Sequence, residues 1–405
     1  MNIANSAISL TLAKIIGIGC QFISISIITK NLSLDNVGTF LLFLTFTLLA
    51  RFLSSFGFDQ ILIREISREK ENKKSFGNTF IVSLIFNCLI SSIIYLIYIN
   101  FFDFNLQINN LLIFLSFIMQ GIFGSCIGLI RGFGKNLKAQ IPEGLLMHLF
   151  FLVLIIIHSN IEIISLKTLF LNYFLSSTVV FLVYFSLIKD MRLNFKGSLK
   201  KDFVKYFKSA GQIIIILAST YAIIKSPTLI AAIFLDIQEV ALIDIALKVA
   251  SIPIILISSI GATYAGVFSN LKGMGFKSNF NALSQAVLLG FVPSLIWTIC
   301  LVFFGKDIIK ILFGDLYLEA YPSLIILSVS YLLISIGSVS SVMLIHQDNE
   351  SILLKLSTFS ILVLSFSAAM LDLNLIKISL IFMISIIIRD IGSLLYAMNI
   401  HLRAS

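Results

Sequence analysis

A few ionisable side chains stand inside stretches that are otherwise too apolar to tolerate them: Lys14, Arg51, Lys225, Asp244, Lys248, Arg389 and Asp390. Lys225 and Lys248 fall in neighbouring apolar segments, 209–235 and 240–269, joined by the short polar break Asp236–Glu239. At ~1.5 Å per helical residue, Lys225 lies ~15 Å from that break and Lys248 ~12 Å from it on the next helix. A charge at such depth in a bilayer costs roughly 2.5–3.5 kcal/mol, so it faces protein or a wet cavity. Helical spacing gives each cation polar neighbours on its own face. Thr11, Gln21 and Ser24 accompany Lys14; Thr47 and Ser54 accompany Arg51; Tyr221 and Thr228 accompany Lys225. Ser251 and Ser258 share a face with Asp244 and Lys248, and Ser385, Ser393 and Tyr396 share one with Arg389. Polar stripes that each carry a cation suit an anionic substrate, because phosphate oxygens accept hydrogen bonds from Lys and Arg.

Each of these residues has a plainer reading beside the chemical one. Lys14 and Arg51 lie only ~10–12 Å from a segment end, so either can snorkel to the interface instead of lining a cavity. Asp244 and Lys248, spaced i, i+4, either neutralise each other or leave Asp244 as a coupling group that takes up a proton. Asp390 follows Arg389 but points ~100° away on an α-helix, and is the second candidate for coupling. Lys225 and Arg389 have no acid three or four residues away, which makes them the hardest to explain as paired charges. Lys355 starts an apolar segment and reads as interfacial. His148 and His158 are isolated, and Cys20, Cys88, Cys126 and Cys300 show no CxxC spacing, so neither metal nor disulfide is expected. No Walker sequence, nucleophile elbow or paired acidic motif is present, and the reading is of a protein without a cofactor that is not an enzyme. Gly124, Gly128 and Gly132 form a GxxxGxxxG stripe, which favours close helix approach.

The elements that must position these residues follow from composition. Of 405 residues, 58% are hydrophobic and only 12% charged, with a mean hydropathy of +1.04. That balance defines an all-α polytopic membrane protein, because a barrel would alternate in ~10-residue pieces whereas these apolar runs are continuous. About twelve spans emerge, near 6–29, 38–58, 76–101, 111–131, 142–158, 168–188, 209–235, 240–269, 281–304, 321–345, 352–371 and 378–399. The net charge of +9 is placed by topology and does not imply nucleic acid. One side carries Arg64, Arg68, Lys70, Lys73 and Lys74, then Arg131, Lys135 and Lys138. It also carries Lys189, Arg192, Lys196, Lys200, Lys201, Lys205 and Lys208, then Lys272, Lys277 and Arg403. The other side has only Lys30, Lys167, Lys306, Lys310 and Lys377, which puts both termini in the cytoplasm.

The long basic connection 189–208 divides the chain into a six-helix lobe 1–188 and a six-helix lobe 209–405. Phe195, Leu199, Phe203 and Phe207 recur every four residues there, as in an amphipathic helix on the inner membrane face, although a solvated linker explains the lysines equally well. The halves are weakly alike. NLSLDNVGTF (31–40) and FLDIQEVALI (234–243) each read as an outer turn that starts a helix, and Leu129–Ile130–Arg131 matches Leu344–Ile345–His346. The outer segment Gly305–Ala320 is longer than its counterpart Phe102–Asn110 and reads as an interfacial helix built on Ile308, Ile309, Leu312 and Phe313.

TKNLSLDNVGTF (29–40), GFDQILIREISRE (57–69), ALKVASIP (246–253) and ILFGDLYLEAYPSLIIL (311–327) resemble the polysaccharide-transport branch of the multidrug/oligosaccharidyl-lipid/polysaccharide (MOP) exporter superfamily. The resemblance runs over nearly the whole chain. It implies a flippase for undecaprenyl-diphosphate-linked oligosaccharide units, such as O-antigen repeats, with two six-helix lobes around a central cationic cavity and alternating access. In that reading Lys14, Arg51, Lys225, Lys248 and Arg389 attract the diphosphate and sugar acids. Its partners are the lipid-linked oligosaccharide, membrane lipids and other polysaccharide-assembly membrane proteins. Two other classes stand beside it: a membrane-embedded polysaccharide polymerase or ligase, and a small-molecule antiporter. The first span has no clear acid, which counts against a cation-coupled drug exporter.

Overall fold

The computed structural model describes residues 3–68, 76–101, 110–161, 164–191, 193–195, 198–271, 276–347 and 349–403. Among these residues there is no strand. Eleven helices are long and apolar enough to cross a membrane, and the bent pair Ile237–Ala250 with Ile254–Gly261 makes a twelfth when counted as one span. The chain is therefore an all-α, multi-pass membrane protein. Several cations of the expected charge asymmetry (Lys70, Lys73, Lys74, Arg192, Lys196 and Lys272) lie outside the described residues.

Two compact units form, Met1–Tyr221 and Ala222–Ser405. The first holds α1 (Ile3–Asn31), α2 (Leu34–Leu53), α3 (Phe58–Arg68), α4 (Gly77–Phe101) and α5 (Asn110–Gly132). It continues with α6 (Asn136–Ile141), which passes through a π-helical turn, Pro142–Leu146, into α7 (Met147–Ile161), and then α8 (Leu166–Lys189). Helix α5 is the centre of this unit and packs against α2, α3, α4 and α8. Its glycine stripe makes the close approaches: a Cβ at Gly128 would stand 2.6 Å from the Asp59 carbonyl, and one at Gly132 2.8 Å from that of Leu62. Rings from three spans meet there, with Phe43 of α2 edge-on to Phe117 of α5 and to Phe170 and Tyr173 of α8.

The helix α9 (Leu199–Phe234) runs from the first unit into the second. The second unit continues with α10 (Ile237–Ala250), α11 (Ile254–Asn270), α12 (Phe276–Phe313) and α13 (Tyr321–His346). It ends with α14 (Glu350–Met370) and α15 (Leu375–Ile386), which passes through a π-helical turn, Ile387–Ile391, into α16 (Gly392–Arg403). Here α13 is central, packing against α10, α11, α12, α15 and α16. It is the fourth span of its unit, as α5 is of the first. Leu288, Leu289, Ile296 and Phe303 of α12 are exposed; in a bilayer this is the face that meets lipid.

Three segments differ from the sequence reading. The second span ends at Leu53 rather than near residue 58, because Phe56 and Gly57 take left-handed backbone angles and turn the chain into α3. The stretch 305–313 is no separate interfacial helix; it completes α12, and a short 3-10 turn, Asp315–Ala320, follows. Residues 199–208 are the first turns of α9, and only Phe195 of the four-residue pattern stands outside it. Phe203 and Phe207 stack on Phe86 and Phe56, with centroids 6.1 and 5.6 Å apart, so this stretch is helical and packs on α3 and α4.

Candidate functional site

In the second unit, three charged residues from two helices converge. Pro227 has no N–H for the Ile223 carbonyl, and Ser226 Oγ fills that vacancy at 2.8 Å. The helix thus stays intact around Lys225, whose Nζ lies 3.6 Å from Asp244 Oδ1. Thr228 Oγ1 donates to the same oxygen at 2.9 Å. On α10, Lys248 Nζ lies 2.7 Å from Asp244 Oδ2. Asp244 is fully buried, so one carboxylate lies between two ammonium groups and the cluster keeps a single net positive charge.

The end of α10 is set by Pro253, which cannot bond the Val249 carbonyl. The indole of Trp297 on α12 donates to that carbonyl at 3.0 Å, and Ser251 Oγ donates to the Lys248 carbonyl at 2.9 Å. A capping box of Asp236 and Glu239 starts the same helix. These contacts fix α10 at both ends and hold Asp244 and Lys248 in register with Lys225.

Arg389 and Asp390 sit on the π-helical turn within the last span. A wider turn winds fewer degrees per residue, and Arg389 Nη2 comes within 4.0 Å of Asp390 Oδ1, closer than α-helical spacing implies. Asp390 is fully buried, and its backbone packs so tightly on Gly337 of α13 that any Cβ there would overlap it. Neither Asp390 oxygen nor Arg389 Nε has a hydrogen-bond partner among the described residues.

In the first unit, Arg51 is buried near the end of α2 and does not snorkel. Its Nε meets Glu143 Oε1 at 2.8 Å, and Glu143 comes from the π-helical turn that Pro142 opens. Gly124 makes the room, since a Cβ there would be 3.0 Å from Arg51 Nη1. Lys14, half-buried on α1, makes no ion pair among the described residues. Sequence reasoning thus singled out both ends of the Asp244–Lys248 pair but missed Glu143. An acid directly after a span-opening proline reads as a first-turn residue, and its partner is 92 positions away.

The helix order and packing are those of a known class. A multidrug resistance MATE family transporter of the MOP superfamily, inward-facing, aligns with TM-score 0.70 at 16% identity over 96% of this chain and 98% of that one. The lipid II flippase MurJ, in an inward closed conformation, aligns with TM-score 0.73 at 14% identity over 96% of this chain and 87% of its own. A MOP superfamily transporter from Pyrococcus furiosus Vc1 gives 0.66 at 16% identity, over 97% and 94%. At these identities the likeness is one of fold, and the fold is that of the MOP superfamily. The sequence adds a family: the profile of the polysaccharide biosynthesis protein family matches residues 3–272, and the chain belongs to that family. A search of the curated proteins gives no match.

Proposed function

We propose that the protein is a flippase that moves undecaprenyl-diphosphate-linked oligosaccharide units, of the O-antigen or a related polysaccharide, across the bacterial inner membrane by alternating access. Family membership supports a role in polysaccharide biosynthesis, and the fold shared with MurJ supports a lipid-linked cargo. The observation that carries the reading is the Lys225–Asp244–Lys248 cluster, which keeps excess positive charge inside the spans. Such charge is costly in a bilayer unless an anion comes to it. Lys14, Arg51 and Arg389 extend the attraction to the diphosphate and sugar acids. Both termini face the cytoplasm, and other membrane proteins of polysaccharide assembly are its partners.

A polymerase or ligase would need a sizeable outer loop with catalytic groups, whereas residues 305–320 are used in the end of α12 and a short turn. The experiment is deletion in the native host. Loss of surface glycan, with lipid-linked repeat units accumulating on the cytoplasmic side, is expected. Normal glycan output would sink the reading, and so would surface display of single unpolymerised repeats, which marks a missing polymerase. Intact glycan with altered small-molecule resistance would point to an antiporter.

A further inference from the structure

The first turns of α9 differ between their two faces. On one, Tyr206 and Ala210 are buried with Phe58 and Ile61 of α3 and Val82 of α4, and Phe203 stacks on Phe86. The rest of the surface mixes lysines with apolar side chains. Lys200, Lys205 and Lys208 are exposed, and so are Leu199, Phe207 and Val204, the last at 66%. Asp202 is the one acid beside the four lysines of residues 199–208. Phe195, also exposed, lies at the start of α4, where a Cβ at Gly77 would stand 2.8 Å from its ring. Helix α3 adds charge: Arg64 Nη2 donates to Ser209 Oγ at 3.2 Å, which brings the guanidinium beside Lys208 and one turn from Lys205. Further along α4, Ile85 and Leu89 flank Phe86 and are exposed, so an apolar surface begins at this basic edge.

We propose that this edge, made by α3, the start of α4 and the first turns of α9, binds the headgroup of an anionic phospholipid of the bilayer. Neither water nor hydrocarbon alone satisfies a face that alternates lysine with leucine, valine and phenylalanine. A phospholipid surface satisfies both kinds, because phosphate oxygens accept from the ammonium groups while acyl chains cover the apolar side chains. The surplus of cations selects a lipid with net negative charge, since a zwitterionic headgroup brings its own ammonium into the same field. The lysines at the end of α12 form a contrast within the chain. Lys310 meets Asp315 at 3.0 Å and Lys306 stands 5.2 Å from the centre of the Tyr321 ring, so both already have protein partners. The inference does not depend on the cargo proposed above, because this lipid is held and not carried.

The test is native mass spectrometry of the purified full chain, released from neutral detergent and titrated with phosphatidylglycerol and phosphatidylcholine in equal amounts. The wild type is expected to retain phosphatidylglycerol with about tenfold higher affinity, since each cation near the headgroup contributes about fivefold. Lys205→Gln with Lys208→Gln should remove that preference and leave the affinity for phosphatidylcholine unchanged. Lys205→Arg with Lys208→Arg should keep it, and so should Lys306→Gln with Lys310→Gln at the far end of α12. Leu199→Ser with Val204→Ser should weaken both lipids by about threefold or more, because the acyl contact is shared. Equal retention of the two lipids by the wild type overturns the proposal. An equal loss from the Lys306 and Lys310 pair overturns the site in favour of general surface charge. Glycerol phosphate competing as well as phosphatidylglycerol would assign the edge to a soluble anion. Should the Lys205 and Lys208 double variant not purify, Lys208→Glu alone decides: an undiminished preference for phosphatidylglycerol overturns the site.

Discussion

Asp244 sets a structural role against a role in the transport cycle within a single side chain. It is fully buried and contacts Lys225, Lys248 and the Thr228 hydroxyl, so removing its charge leaves two lysines uncompensated. Breaking a buried pair from one side costs about 3–5 kcal/mol, whereas removing both members is often tolerated. Asp244→Asn is therefore expected to lower the Tm of the detergent-solubilised protein strongly. Lys248→Met alone should lower it little, because Lys225 still neutralises the acid. Adding Lys225→Met to Asp244→Asn should recover part of the loss; no recovery would mean that the lysines are not what Asp244 compensates. Flipping of a fluorescent lipid-linked substrate in proteoliposomes, with and without an imposed pH difference, then addresses coupling. Gradient-dependent flipping by the double variant Asp244→Asn with Lys248→Gln would exclude Asp244 as the proton carrier. Arg51 and Glu143 form the corresponding pair in the first unit, and Arg51→Ala should destabilise more than Arg51→Lys, which keeps a cation for Glu143.

Between α2 and α3, four residues decide what hydropathy cannot. Phe56 and Gly57 have φ of 50° and 79°, and a Cβ at Gly57 would stand 2.7 Å from the Ala210 carbonyl. Ser54 Oγ donates to Asn87 Oδ1 at 2.8 Å and Ser55 Oγ to Asp59 Oδ1 at 2.7 Å, which hold the turn from both sides. Gly57→Ala should cost about 1–2 kcal/mol for the backbone angle alone, with the overlap added. Gly19→Ala is the control. Nothing lies within 4 Å of a Cβ there, and the helix should gain up to about 1 kcal/mol. Equal Tm shifts in the two variants would remove the case for strain at Gly57. The same turn shows what the sequence reveals of the fold. Span length and order were legible because twenty apolar residues have no other use. The turn was not, because Leu53–Phe58 is almost as apolar as the helix before it. At 305–307 the error ran the other way. Gly305, Lys306 and Asp307 look like a break, yet α12 continues with the Tyr321 ring packed on Gly305. Of the site, the i, i+4 pair was legible, while Lys225–Asp244 and Arg51–Glu143 join different helices and depend on packing.

Orientation in the membrane follows from two helices that are too long for it. The 36 residues of α9 span about 54 Å, against about 30 Å of hydrocarbon. The surplus belongs at its first turns, where Lys200, Lys201, Lys205 and Lys208 stand, because its last turns, TLIAAIF, carry no charge. Arg64 Nη2 donates to Ser209 Oγ at 3.2 Å, so the basic start of α9 lies on the same side as Arg64 of α3. The 38 residues of α12 overrun at the opposite end, with Lys306, Asp307 and Lys310 in the final turns. That end pairs its charge: Lys310 meets Asp315 at 3.0 Å. Because retention of Lys and Arg sets orientation, the start of α9 is expected in the cytoplasm. The measurement needs a background without Cys20, Cys88, Cys126 and Cys300, all of which are free thiols. In intact cells, Lys205→Cys should stay shielded from an impermeant maleimide and label only after permeabilisation. Asp372→Cys, on the turn between α14 and α15, should label at once. Immediate labelling at 205 with protection at 372 would invert the topology, and with it the direction in which the buried cations first meet their anion.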